Sequence, residues 1–553
     1  MKRLTTYLLA LASAVMPFAA SAQVEKQVEV TKDYVPSIAS AQKLAVEPDM
    51  TDTVRMRPDI DYSITPLSWQ TNLSTEKFRP ATVTYWEFNR PQPFYLKAGA
   101  GYPLSSVGDL YLTTQNPDVG FLMLYANHEG AYEKMKNYFG ERHDARRMLN
   151  RAGVNLGCYA GRHIAEADLS YDNRLYHRYA GRADAAGVGD RVNTGAFEGK
   201  IRFGDDFKDL SRVNFDIEAR GTIFSDNSPY GDSRPDDAQF DYGGSVAVAR
   251  GFGRHMLRLD ADYDGYVGDK DMAWYRNDVV HAGLRYGRRG GFIDYDLGAD
   301  YWYDRHRGAS DHHYVSPYLH LRFNVSRKGR FVPFIEVDGE LRSNDYMSLT
   351  RENPYVIPGT ALQHNTMGYN FRFGAAGNAA SDRIAYRVLV GLSIVDHCRF
   401  WYVVDDMFFG VAAARRNALW FDAEFTYRPV SCFALSLWAT GRSYSSDIDI
   451  NLGCPAFESQ AKAEYSVRRW KFGVAADMRG KTRWTNKRGA EQSDWTVFAA
   501  PFTVDLSANV EWQYSSDVGF FLEGRNLANR RIYPLAYYPE YGIGFTFGVK
   551  VQF

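Results

Sequence analysis

Cysteine is scarce in this chain: four residues, at 158, 398, 432 and 454, in a length of 553. Their spacing fits no CxxC or CxxH pattern, which removes the small zinc-binding and dithiol redox classes. Long apolar runs are missing as well. Beyond the first 22 residues no stretch of about 18 apolar residues occurs, so helical membrane spans are excluded. Neither sign of charge is in excess, with 65 Lys+Arg against 66 Asp+Glu and a net charge of -1, and nothing points to nucleic acid as a partner. No GxSxG elbow, HExxH helix or phosphate-cradling loop lies in a fitting context. Enzymatic chemistry and a cofactor are therefore not expected.

What is present starts with an address. Lys2 and Arg3 form a charged n-region, Tyr7 to Ala20 is mostly apolar and too short to span securely, and Ala20-Ser21-Ala22 supplies a small-x-small cleavage site. Residues 1–22 read as a cleaved signal peptide, with the mature chain starting at Gln23. No Cys sits at the cleavage site, so a lipoprotein anchor is not expected. Residues 23–92 differ from everything after them. They hold Tyr34-Val35-Pro36, Glu47-Pro48-Asp49 and Arg57-Pro58-Asp59 with no durable period, and read as an extended periplasmic or lumen-filling segment without a core of its own.

From about residue 93 to the end the dominant signal is period-two alternation. In the last segment Tyr541, Ile543, Phe545, Phe547, Val549, Val551 and Phe553 alternate with Gly542, Gly544, Thr546, Gly548, Lys550 and Gln552. Leu257, Leu259, Ala261 and Tyr263 oppose Arg258, Asp260, Asp262 and Asp264 in the same way. One face suits lipid and the other a polar lumen. The 38 Tyr, 34 Phe and 11 Trp suit interfacial girdles. The fold class expected is all-β: a transmembrane antiparallel β-barrel at 93–553, in contact with outer-membrane lipid. Strands starting near 94, 107, 118, 148, 162, 193, 211, 238, 254, 276, 291, 313, 331, 364, 382, 416, 431, 456, 469, 500, 517 and 540 give about 22, an even number as such barrels require. Short turns alternate with longer connections, near 130–147, 179–192, 225–237, 345–363, 398–415, 446–455, 481–499 and 528–539. Short turns belong to the periplasm and long loops to the surface.

Three sets of residues are candidates for function. Asp260, Asp262, Asp264, Arg285, Asp294, Asp296, Asp300, Arg322, Glu336, Asp338 and Glu340 are predicted to face the lumen, with His281 and His320 among them. They make either a charged wall that selects solutes or holds a cation, or cross-strand pairs solvated in a wide lumen. Phe400, Trp401, Tyr402, Met407, Phe408 and Phe409 form an apolar stretch in a predicted surface loop, which packs on a partner or on the barrel's own lumen; Phe400 to Ala413 is either a long aromatic loop or part of another hairpin. His312 and His313 with Asp311 and nearby His306 are a candidate surface metal site, although adjacent His on an extended loop is usually solvated, and no metal is assigned. Cys398 and Cys454 fall in connections on the same side and are a candidate disulfide.

The C-terminus carries a resemblance. Asn526-Leu527-Ala528-Asn529, then Tyr533-Pro534 and the closing GIGFTFGVKVQF, is similar to the end of TonB-dependent receptor barrels. That resemblance implies a strand number of about 22, and a terminal Phe553, with Phe545 and Phe547, read by the barrel-assembly machinery. It also implies an N-terminal plug, which is larger than the 70 residues of 23–92, and no glycine-rich plug pattern is present there. The chain therefore resembles the plugless, receptor-like barrels common in Bacteroidota. Val28-Glu29-Val30-Thr31 faintly resembles a TonB box. Three roles remain open: a subunit of an outer-membrane complex with an outer-membrane or periplasmic protein partner, a passive or selective solute channel, and a TonB-coupled transporter.

Overall fold

The computed structural model describes residues 93–553 apart from 117–118, 327–328, 381, 449–452 and 488–494. The expected signal peptide at 1–22, the segment 23–92 and the box at 28–31 lie outside the described residues. Alternation of the kind read above leaves a strand no choice of face, because a one-residue slip would put its charges into lipid. The described part accordingly closes into one barrel of 22 antiparallel strands, each hydrogen-bonded to its neighbours in chain order. Leu257, Leu259 and Tyr263 lie on the exposed outer face, as do Leu284 and Phe373 at 50% and 62% exposure. In water that belt would be an aggregation hazard, and in a membrane it is the lipid-facing surface.

Closure is made by the first and last strands. Phe94–Tyr102 pairs with Gly544–Gln552 in a register that runs from Tyr95 opposite Gln552 to Tyr102 opposite Phe545. Phe553 extends the seam by one pair of backbone hydrogen bonds with Phe94, and their rings stack at 4.7 Å. Phe545 and Phe547 are exposed on the outer face.

Most strands begin within a few residues of the positions that alternation marks, and three expectations need correction. The stretch Phe400 to Ala413 is not a loop. Ile384–Val404 and Phe408–Val430 are the longest strands, at 21 and 23 residues, and only residues 405–407 connect them. Alternation fails there because other parts of the chain cover both faces, and a strand buried on both sides reads as a continuous apolar run. The connection expected over 481–499 contains its own hairpin, Thr482–Lys487 with Trp495–Ala500. The closing strand begins at Gly544, so Tyr541 and Ile543 are not part of its apolar face.

The Asn526 to Asn529 motif explains that last shift. Asn526 and Asn529 sit at φ 45° and 48°, a left-handed conformation that Asn tolerates better than other residues with a Cβ. The Asn526 amide donates to the carbonyls of Arg530 (2.8 Å) and Tyr541 (3.0 Å), and Asn529 Oδ1 accepts from the Ile543 N–H (3.2 Å). These bonds fold the segment over the barrel mouth before the last strand starts.

Candidate functional site at the long-loop end

The inward face comes first, because the wall positions everything above it. Every member of the predicted charged set has an oppositely charged neighbour. Arg285 reaches both Asp260 and Asp300 at 3.3 Å, and His281 bridges Asp262 (2.8 Å) and Asp300 (3.0 Å). Arg220 holds Asp264 at 2.7 Å, Arg322 holds Asp294 at 2.7 Å, and Arg289 holds Asp296 at 2.5 Å. Arg372, on Thr366–Ala379, meets Glu336 at 3.1 Å and also pairs with Asp338, while Arg342 holds Glu340 at 2.8 Å. Most of these pairs join neighbouring or next-nearest strands, while Arg342 and Glu340 share one strand and Arg289 reaches Asp296 from a turn; a polar lumen needs such pairing to keep its charges solvated or compensated.

The long connections do not stand up from the wall. They fold over its mouth and share one hydrophobic core, to which residues 132–146, 178–190, 271–275, 345–365, the tip of the long hairpin, the hairpin at 482–500 and residues 526–543 all contribute. Phe400, Trp401 and Phe409 are fully buried, and Phe408 and Met407 nearly so. Trp401, Met407, Phe408 and Phe409 belong to that core, and Phe400 packs beside it with Tyr402 against Cys398. The apolar stretch thus packs on the chain's own connections.

Backbone pairing fixes this hairpin tip on both edges. Along one edge, Val403 and Val404 pair in parallel with Asn486 and Lys487, and the Asp405 N–H donates to the Lys487 carbonyl at 3.1 Å. Along the other, the Phe409 N–H donates to the Tyr355 carbonyl and the Ile357 N–H to the Phe409 carbonyl, both at 2.9 Å. Edge groups that would otherwise be orphaned are therefore satisfied.

Side chains lock the connections to one another. The Tyr355 and Tyr538 rings stack at 3.7 Å, and the Tyr538 hydroxyl donates to the Met407 carbonyl at 2.9 Å. Burial pushes both phenols above their usual range, which keeps the donating Tyr538 hydroxyl neutral. Tyr179 donates to the Pro539 carbonyl at 2.8 Å, and the Arg178 guanidinium lies over the Phe408 ring at 4.9 Å. Arg178 and Phe408 rise from nearly opposite sides of the ring of strands, so the core bridges the mouth. A short helix, Tyr346–Glu352, is capped by Asp345 through the Ser348 N–H and buries Tyr346, Met347 and Leu349. Its last residue, Glu352, accepts from Trp401 Nε1 at 2.7 Å and pairs with Arg399.

Two further candidate groups come out differently from expectation. No disulfide joins Cys398 to Cys454. The guanidinium of Arg416 stands beside Cys454 Sγ at 2.8 Å and packs over the Phe400 ring next to Cys398. The suggested histidine group also does not assemble as a set. Tyr303 donates to Asp311 at 2.7 Å, and His313 contacts Tyr301 at 2.7 Å on the exposed outer side. His312 turns inward and meets His364 and His397 instead. Neither residue was marked by sequence, since 52 and 85 positions separate them from His312 and neither neighbours a second His. The other residues missed, Tyr355, Trp484 and Tyr538, carried only the general signal of aromatic residues in long connections.

No family model matches the sequence, and no curated protein matches it. Solved structures do match. The FrpB iron transporter from Neisseria meningitidis is similar at a TM-score of 0.65 and 10% identity, over 84% of this chain and 82% of that one. The ferripyoverdine receptor of the outer membrane of Pseudomonas aeruginosa gives 0.63 and 11%, over 84% and 72%. The ferric yersiniabactin uptake receptor from Yersinia pestis gives 0.63 and 11%, over 84% and 80%. The likeness is one of fold, a 22-strand antiparallel barrel shared with these outer-membrane transporters and receptors.

Proposed function

We propose that this protein is a non-enzymatic, receptor-like barrel of the outer membrane that lacks an internal plug, is held shut by its own surface connections, and works as a subunit of an outer-membrane complex. The observation that carries this reading is the shared hydrophobic core across the long-loop end. A wall of 22 strands encloses a lumen wide enough to leak. A passive porin needs that mouth open, whereas here buried aromatic anchors from several connections would have to part first, among them Trp401 and Phe409 of the long hairpin, Tyr355 and Tyr538. Opening at such a cost calls for binding energy from another molecule. The charged set read from the sequence is ion-paired member by member, which argues against that set as a selectivity filter.

Planar-bilayer recording of the purified protein tests the closed state. Silence is expected, and steady ion-permeable openings of the native chain would overturn it in favour of a solute channel. Isolation in mild detergent tests the complex: a reproducible partner is expected, and recovery of the monomer alone would remove the subunit role.

A second reading is favoured by one observation, the fold shared with an iron transporter and with ferric-chelate receptors. In it the chain takes up a solute with energy supplied from the periplasm through residues 28–31. Deletion of those four residues then abolishes growth on the transported solute, and unchanged growth disposes of the coupling.

A further inference from the structure

The structure assigns a role to three histidines that neither reading uses: we propose that His312, His364 and His397 form a three-imidazole site for a late first-row divalent cation such as Zn2+, where the wall meets the folded-over connections. One nitrogen from each ring lies within 4.8 Å of one from each of the others, a spacing that a single ion can draw together. The residues come from three separate segments. His312 opens the strand His312–Phe323, His364 ends the connection before Thr366–Ala379, and His397 lies on Ile384–Val404. The His364 and His397 rings stack at 4.6 Å, and His312 meets the edge of His364 at 5.0 Å.

Two independent features distinguish this cluster from ordinary aromatic packing. The Nδ1 atoms of His312 and His364 are both buried with no hydrogen-bond partner. A buried polar atom left without a partner is destabilising, and bonding to a metal ion removes that cost. The second feature is the framework that aims the rings. His397 sits at φ 53° where the register with Phe408–Val430 jumps between Val395 and Cys398, an irregularity of the sort that re-aims one side chain. Its carbonyl accepts from the Thr366 hydroxyl at 2.7 Å. Asn344, fully buried, donates to the His364 carbonyl at 2.6 Å and to the Thr366 hydroxyl at 3.1 Å, so one residue holds the backbones of both ligands. Asn365 is tied to Asn277 and Asp304, both at 3.0 Å. Asp304 stands 3.2 Å from His306 and is engaged by the two amides, which makes it part of the frame.

The ligand class follows from the donors. Neutral imidazoles suit Zn2+, Ni2+, Co2+ and Cu2+ and do not suit Mg2+ or Ca2+, which demand oxygen. Three protein ligands leave a fourth position for water or for a donor from another molecule. Because the ligands come from a strand start, a long connection and the longest hairpin, a bound ion pins the connection at 343–365 to the wall and stabilises the closed mouth by mass action.

The test uses the full chain in detergent, without a polyhistidine tag, titrated with Zn2+ by calorimetry and with Co2+ by visible absorption. The expected result is one ion per chain, with Co2+ bands of a low-coordinate nitrogen site. His364→Ala and His397→Gln should each weaken binding at least about 10-fold, as loss of a ligand exceeds a lost outer partner. His313→Ala, on the outer side, should leave it unchanged. Heat-modified mobility on gels confirms that each variant retains its barrel. Absence of Zn2+ binding by the native chain, or equal weakening by His313→Ala, would overturn the site, and either result leaves the closed-barrel reading untouched. If His364→Ala does not fold, His397→Gln and the native titration still decide.

Discussion

The wall and its cover are built from similar residues on opposite plans. In the wall, Leu284, Phe373 and Phe547 face outward and Asp260, Arg285 and Arg372 face inward. In the cover, Trp401, Phe409 and Tyr538 are buried in a shared core. The difference lies in the solvent each must satisfy. Lipid offers nothing to a polar group, so the wall pairs its backbone from strand to strand and puts charge where water can reach it. The cover meets water and buries apolar area as a soluble domain does. One chain therefore holds two cores with separate logic, joined along a ring of strand ends where the long hairpin passes from one to the other.

Trp401→Ala gives the largest expected effect and tests whether the two cores are separable. Removing a fully buried Trp and its bond to Glu352 should cost the cover about 3–5 kcal/mol. Limited proteolysis should then cut the connections at 343–365 and 482–500, and bilayer recording should show openings, while the barrel keeps its heat-modified mobility. Equal loss of both would show that wall and cover fold as one unit. Leu284→Arg comes next and acts only on the wall: an arginine near mid-depth on the lipid face costs about 2–4 kcal/mol. Ala247→Arg is its counterpart. Ala247 stands between Asp216 and Asp260 on the inward face, and the change should stay within about 0.5 kcal/mol. Urea unfolding in lipid vesicles measures both, and a comparable loss from both variants would refute the assignment of the two faces.

The wall was legible because its physics is local. Period two is written into each strand by the contrast between lipid and lumen, and it placed the starts of segments such as Arg276–Arg288 and Ile293–His306 closely. The cover was not legible because its contacts join positions far apart in sequence, such as Tyr179 with Pro539 and Tyr355 with Tyr538, whose meeting depends on how the ring closes. Phe400 to Phe409 could be recognised as a segment needing cover, but the choice between loop and hairpin stayed open, since burial on both faces erases alternation. The histidine cluster shows the same limit. The adjacent pair His312 and His313 drew attention by proximity, yet alternation sends them to opposite faces, and only one can join His364 and His397.

A small, pH-dependent effect is expected at a single carboxyl in the cover. Glu540 lies in the segment that folds over the mouth, and burial raises its pKa above the ordinary 4.5 against the pull of Arg147, with Asp505 adding to the rise and Arg525 opposing it. In the folded state the group therefore keeps its proton to higher pH than in the unfolded chain. Its contribution is fully present below the unfolded pKa and is lost as pH rises through the folded one. Glu540→Gln fixes the neutral form. The variant should match the native chain at pH 4, then gain on it as pH rises, by no more than about 1 kcal/mol at neutral pH. Protection of the cover against proteolysis, followed from pH 4 to 8, reads this directly. A variant that is less stable than the native chain at pH 7 would mean that the Arg147 attraction outweighs desolvation. The cover would then be held in part by a buried ion pair, as the wall is, and the contrast between the two regions would narrow at this point.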